Sequence, residues 1–312
     1  MDYPLISIVV PVKNGIDTLP NLFEGLEKQT IYNQTEIIII DSGSNDGSVE
    51  FVKNKNAILI QIDPKSFNHG ATRNIGVSES SGEYLFFTVQ DAWTEDDFLL
   101  ERMLSHFKDE EVVGVCGQQI VPHHNDKNPH EWFRPQSNPV PKFVNFKGDE
   151  DFERLTPKEK KNACGWDNVV AMYRKSILVQ NPFPSVIFGE DMLWAKNVLT
   201  LGFTLVYDYS CRVNHYHHHN PKFTYKRTLI VWYFLYQNFN YRRPDPFNFK
   251  EFLHIAYRNL KWGASLKWIP FNWNRISVQK KAIRDFNKAL KEDKLQELFE
   301  SLKIKIPQGN TN

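Results

Sequence analysis

Residues 36–48 read EIIIIDSGSNDGS: four consecutive isoleucines stop at Asp41 and open into a polar turn. An unbroken β-branched run with no polar alternation describes a strand buried on both faces, as in a parallel sheet covered by helices. Upstream, residues 5–10 (LISIVV) have the same character and should be ended by Pro11. Between the two strands Leu19, Leu22, Phe23 and Leu26 recur at helical spacing, behind Asp17 or Thr18 as cap and Pro20 in the first turn.

The alternation continues downstream. Residues 57–62, 84–89 and 112–116 read as strands, and residues 49–53 and 73–80 read as helices. Thr94 caps a further helix that carries Phe98, Leu99, Met103 and Leu104. Strands alternating with helices predict an α/β fold with a mostly parallel central sheet. Residues 122–162, rich in Pro, Asn, His and Lys, break the pattern and are expected to form an ordered functional loop holding His123, His124, Trp132 and Arg134. Beyond it come a strand or strand pair at 165–173, a helix at 191–201 and a short strand at 203–207. Helices are then expected at 223–240, 249–262 and 277–301. The chain therefore divides into a sheet domain, residues 1–221, and a helical C-terminal region, residues 222–312.

A chain of 312 residues with 41% hydrophobic and 24% charged residues has the composition of a folded protein with a full core. Cys116, Cys164 and Cys211 are odd in number and form no pair motif, which points to a reducing compartment. The first residues lack a signal-peptide pattern, and the longest apolar run, 229–236, is about half a bilayer span. The near-neutral total conceals a split: residues 1–221 hold 20 Lys/Arg against 30 Asp/Glu, and residues 222–291 hold 15 against 3. A basic segment interleaved with Trp, Tyr and Phe suits an anionic membrane surface first. Nucleic acid is the runner-up and is not the expected partner; docking onto the acidic first part is the plainest alternative.

In an open parallel sheet, ligands bind beyond the carboxyl ends of the strands. The distinctive polar residues fall there: Pro11, Lys13 and Asn14, then Asp41 to Ser44, then Gln90 and Asp91. The turn after the first strand is VKNG, with no G-x-G-x-x-G and no G-x-x-x-x-G-K-[ST] in the chain, which argues against a Rossmann dinucleotide site and a P-loop. Asp41 either caps its turn or accepts a hydrogen bond from a nucleotide base. Asp91 offers a hard oxygen to Mg²⁺ or Mn²⁺ beside a diphosphate.

The ordered set PVKNG, DSGSNDGS, FNHGATRNIG, FTVQDA and FGEDMLWA, within residues 4–220, resembles family 2 glycosyltransferases of the GT-A fold, and among them the rhamnosyltransferases of bacterial polysaccharide synthesis. The resemblance implies that Pro11 and Asp41 line the base, with Lys13, Asn14 and Ser44 close by. It also implies that Phe67, Asn68 and His69 border the donor, and that Arg73 faces the base or diphosphate. Where many members carry aspartate-x-aspartate, this chain has Val89, Gln90 and Asp91, so one carboxylate remains. His215 or His217, in the run VNHYHHHN, is the candidate to add a metal or diphosphate contact.

The same resemblance makes Asp191 the general base on the acceptor hydroxyl, with Glu190 orienting the acceptor or the loop; a helix cap is the alternative role for Asp191. Trp166 is expected to border the acceptor sugar, with core packing nearly as strong a reading. The implied enzyme is a metal-dependent inverting hexosyltransferase. It would move L-rhamnose from dTDP-β-L-rhamnose onto a glycan or lipid-linked saccharide at the inner face of a bacterial cell membrane. The alternatives are a UDP-hexose or UDP-N-acetylhexosamine donor on the same fold, and a non-catalytic sugar- or lipid-binding protein. Dimerisation through the aromatic tail competes with membrane contact.

Overall fold

A computed structural model of the chain describes residues 4–121, 128, 140–217, 219–242 and 249–304. His123, His124, Trp132 and Arg134 lie outside the described residues. The chain divides into two compact units, Met1–Ile120 with Gln136–Tyr216, and Val121–Pro135 with His217–Asn312.

The first unit runs β1 (Ile6–Val12), α1 (Leu19–Glu27), β2 (Thr35–Asp41), α2 (Ser48–Lys53), β3 (Ile58–Gln61), α3 (His69–Glu79), β4 (Tyr84–Phe87), α4 (Leu99–Ser105) and β5 (Val112–Ile120). It continues through β6 (Lys142–Val144), α5 (Asp149–Glu153), α6 (Pro157–Ala163), β7 (Ala171–Arg174), α7 (Lys175–Gln180), α8 (Glu190–Thr200) and β8 (Thr204–Asn214). The eight strands form one sheet in the order β3-β2-β1-β4-β7-β5-β8-β6. β1, β2, β3 and β4 are mutually parallel, as are β5 and β8, while β7 and β6 run antiparallel to their neighbours. With helices on its faces, this mixed, mostly parallel sheet is the expected α/β architecture. The isoleucines of β2 are buried at 0–2% exposure, which is why they read as an unbroken apolar run.

β1 does not stop at Pro11 but passes through it to Val12, paired with β2 as far as Val12 opposite Asp41. Its other neighbour, β4, ends opposite Val9, so Pro11 lies where β1 is locally an edge and a missing N–H breaks no ladder. β8 is longer than residues 203–207. Its register against β5 jumps between Cys116/Tyr207 and Gln118/Arg212, and the residues thrown out by that bulge mask the strand pattern. Gly117 occupies the jump, where a Cβ would lie 2.3 Å from the Cys211 carbonyl oxygen. β7, four residues long, is the only regular strand in the 165–173 stretch.

α3 begins at His69, earlier than residue 73. Asn68 caps it by accepting from the Ala71 N–H at 3.0 Å. Gly76 lets this helix close onto the sheet, since a Cβ there would meet Val9 Cγ1 at 2.3 Å. The second unit holds α9 (Pro221–Phe239), α10 (Phe249–Lys261), α11 (Trp268–Lys291) and α12 (Leu295–Ser301), with Leu229, Ala282, Phe286 and Phe299 at its centre. The single helix expected over 277–301 is two helices; α11 starts at Trp268, with Pro270 harmless in its first turn, and Asp293 turns the chain at φ 57° before α12. No helix of the described residues is long and apolar enough to cross a membrane.

Candidate active site

The carboxyl ends of β1 and β2 meet in two interlocked turns. Asp41 is buried, and its carboxylate accepts from the Gly43 and Ser44 amides at 3.0 and 3.1 Å. It therefore shapes the turn that follows its own strand. Asn14, at φ 50°, donates its N–H to Ser44 Oγ at 2.8 Å and accepts from the Asn45 N–H at 3.0 Å. Asp46 takes the Ile16 N–H at 3.0 Å and the Ser48 hydroxyl at 2.6 Å. Pro11 is half-buried at the base of this arrangement, and Lys13 is exposed on it.

Gln90, at the middle position of the Val89, Gln90, Asp91 stretch, fastens the turn after β1. Its Oε1 accepts from the Lys13 N–H at 2.7 Å and its Nε2 donates to the Lys13 carbonyl at 3.1 Å. A side-chain amide satisfies a backbone donor and acceptor together, whereas a carboxylate would face the carbonyl with a second acceptor. The three strand-end groups read from the sequence thus come together, with Gln90 fastening the turn and leaving Asp91 as the carboxylate beside it.

His215, just past the end of β8, places Nε2 3.4 Å from Asp91 Oδ1. Together with His217, two residues on, these side chains offer ligand atoms all within 4.8 Å of one another. One carboxylate oxygen and two imidazoles with no thiolate form a donor set that fits Mn²⁺ or, with further oxygen ligands, Mg²⁺. Three protein donors leave positions for diphosphate oxygens. His218 lies outside the described residues.

Four residues expected at the ligands have partners within the protein. Arg73 is buried against Glu190: its Nη1 lies 2.5 Å from Glu190 Oε1, with side-chain exposures of 5% and 8%. The same contact joins Glu190, at the start of α8, to α3. Trp166 is 4% exposed and lies among Tyr173, Trp194 and Tyr207, its indole N–H donating to the Tyr173 hydroxyl at 2.6 Å. It is a core residue with a satisfied polar edge rather than a sugar platform. Asn68 is also structural, since it caps α3 and donates to the Val186 carbonyl at 2.8 Å. Phe67 and His69 are exposed on either side of it, ring edge to ring face at 4.9 Å.

Asp191 stands in the first turn of α8, whose N-cap Gly189 sits at φ 78°. Its carboxyl accepts from the Met192 N–H at 2.7 Å and the Asn168 N–H at 3.4 Å. Burial, then the charges of Glu190 and Asp167, push it up to about 8, against a smaller pull from Arg73. A carboxyl with that value suits proton abstraction near neutral pH. Residue type alone gave no reason to choose Asn74, Gln119 or Asp167. Asn74 clasps the loop before α8 through both the N–H and the carbonyl of Phe183, and Gln119 and Asp167 connect the neighbourhoods of His215 and Asp191.

Residues 7–179 match the family model described as glycosyl transferase family 2, more than half of the chain. The chain is a family 2 glycosyltransferase. Among curated proteins this glycosyltransferase is 31% identical over 226 residues to the O-antigen chain rhamnosyltransferase RfbN of Salmonella typhimurium, covering 71% of this chain and 69% of that one. It is 33% identical over 229 residues to the O-antigen chain rhamnosyltransferase WbaN of Salmonella anatum, covering 72% and 70%. The mannosyltransferase PcManGT of Pyrobaculum calidifontis, solved with GDP-Man and Mn²⁺, is similar in structure at a TM-score of 0.57 and 14% identity, over 97% of this chain and 83% of that one. TarS of S. aureus, residues 1–349 with UDP-GlcNAc, gives 0.54 at 14% identity, over 93% and 88%. The structural likenesses place the glycosyltransferase in the GT-A fold.

Proposed function

We propose that this glycosyltransferase moves L-rhamnose from dTDP-β-L-rhamnose onto a saccharide or lipid-linked saccharide of a cell-surface polysaccharide. The observation that carries the donor is the pair of O-antigen rhamnosyltransferases at 31% and 33% identity, each matched over about 70% of its length. Asp191 takes the proton of the acceptor hydroxyl. The acceptor oxygen bonds to the anomeric carbon as the bond to the diphosphate oxygen opposite breaks, so the β-linked donor gives an α-linked product. A divalent cation held by Asp91, His215 and His217 would supply charge neutralisation to the departing diphosphate. Pro11, Lys13, Asn14, Asp41 and Ser44 form the rim on which the nucleotide rests, with Phe67 and His69 along the donor.

Nucleotide release from dTDP-rhamnose, in parallel with UDP- and GDP-sugars and extracted lipid acceptors, tests the donor. Release selective for dTDP-rhamnose and dependent on Mn²⁺ or Mg²⁺ is expected. Release from a UDP-sugar alone would overturn the rhamnose assignment and keep the class; no release and no nucleotide binding would favour a non-catalytic protein.

In this reading residues 1–221 do the chemistry and residues 222–312 bring it to an anionic membrane at the cytoplasmic face. Support comes from α10. Phe249, Leu253, Tyr257 and Leu260 are 63, 49, 59 and 62% exposed, and at about 100° per residue they occupy one sector of the helix. Lys250, His254, Arg258 and Lys261 form the adjoining sector, opposite the buried Ile255 and Asn259. An exposed apolar row beside a basic row is the arrangement of a helix lying in a headgroup layer. The protein is expected to float with vesicles containing phosphatidylglycerol, less in high salt, and not with neutral vesicles. Leu253→Asp with Leu260→Asp should abolish flotation. No flotation of the wild type would overturn the membrane assignment, as would a dimer that the same double variant dissociates.

A further inference from the structure

Two of the side-chain contacts of Gln119, the penultimate residue of β5, bear on each other, and the first decides the second. Its Nε2 donates to Asp167 Oδ2, and its Oε1 lies 2.8 Å from His215 Nδ1. A carboxylate offers only acceptors, so the NH₂ end of the amide belongs to Asp167 and the oxygen faces the ring. An amide oxygen also only accepts, so Nδ1 must carry a proton. The neutral ring then has its lone pair on Nε2, the nitrogen 3.4 Å from Asp91 Oδ1. Asp167 is itself tied to the backbone, its Oδ1 accepting from the Val169 N–H at 3.0 Å.

We propose that Gln119, oriented by Asp167, is a positioning residue that holds His215 in the Nδ1–H tautomer and so presents Nε2, beside Asp91, as a donor to a divalent cation. The tautomer stands on the hydrogen bonds alone; its use rests on the metal reading above. An outer hydrogen-bond partner of this kind fixes a ligating imidazole's tautomer and ring orientation, and losing it typically weakens metal binding about 10–100-fold. Asp167 also lies close enough to Asp191 for its charge to act there, so one amide is tied into the surroundings of both the cation candidate and the base.

Long-range proton–nitrogen spectra of protein labelled with ¹⁵N-histidine, taken at alkaline pH with His215 assigned by its loss in His215→Gln, read the tautomer without metal or substrate. The wild type should show His215 protonated on Nδ1. Gln119→Met should shift it toward Nε2–H and weaken Mn²⁺ binding, followed by electron paramagnetic resonance, about 10–100-fold. Gln119→Glu combined with Asp167→Asn exchanges donor and acceptor between the two positions while leaving an acceptor oxygen for Nδ1, and should restore the wild-type signal. A wild-type His215 protonated on Nε2, or one unmoved by Gln119→Met, overturns the proposal. A wild type that has the expected tautomer but binds no Mn²⁺ overturns its use for metal and the metal reading with it, leaving the hydrogen-bond assignment intact.

Discussion

Asp191→Asn is expected to lower the rate of sugar transfer by about 10²–10⁴-fold, the usual contribution of a positioned proton acceptor, while donor binding persists. The same change should stabilise the protein, increasingly so as pH rises. The carboxyl is pushed up to about 8 in the folded state, chiefly by burial and then by Glu190 and Asp167, whereas an aspartate in the unfolded chain titrates near 3.9. Between those values the folded protein keeps a proton that the unfolded chain releases. The stabilisation from this group is therefore complete below about pH 4 and is lost as pH climbs through 8. An asparagine has no proton to lose, and its one oxygen can keep the shorter of the two bonds, from the Met192 amide, while the 3.4 Å bond from the Asn168 amide to the other oxygen is given up. Thermal midpoints of the two proteins from pH 5 to 9 should separate steadily and level off above 8. In the wild type, kcat/KM should rise with pH over the same range. A parallel pair of stability curves, or an active Asn variant, would remove Asp191 from the role of base.

Much of the fold was legible because the parallel strands announce themselves. The isoleucines of β2 and the apolar run of β1 admit no other reading, and the polar residues after them fall at the strand ends that the topology brings together. Short or interrupted strands were not legible. β7 has four residues and lies antiparallel between two strands far away in sequence, and the bulge in β8 breaks the alternation that would have marked it. The aromatic tail was legible as composition but not as placement. Tyr225, Trp232, Tyr233 and Tyr236 pack around the centre of the second unit, whereas α10 presents its apolar row outward.

The site followed the same division. Lys13, Asn14, Ser44, Gln90 and Asp91 were legible as candidates because each lies within a few residues of a recognisable strand end. Gln119 and Asp167 were missed because an amide near a strand end and an acid in a loop carry no signal until the fold sets them side by side. Arg73 and Glu190 were singled out, but their contact with each other was not legible. Each belongs to a motif that reads as ligand-facing, and the contact that occupies both spans 117 positions of sequence.

That contact supports a prediction of comparable size. Removing one member of a buried pair strands the other as an uncompensated charge, which typically costs about 3–5 kcal/mol. Arg73→Met should therefore lower the thermal midpoint by roughly 6–20 °C for a unit of this size. Glu190→Leu should do likewise, and the double variant should recover most of the loss, because two apolar residues need no partner. The pair also bears on Asp191 with opposite signs: Arg73 pulls its carboxyl down and Glu190 pushes it up. Losing Arg73 alone should move the acidic limb of the kcat/KM profile to higher pH, and losing Glu190 alone should move it lower. An arginine that gripped the diphosphate would behave otherwise. Its replacement would weaken donor binding with little change in midpoint, and Glu190→Leu would restore nothing. A double-mutant cycle in stability, measured beside donor affinity, separates the two roles; a near-additive cycle with a large loss of affinity would return Arg73 to the donor.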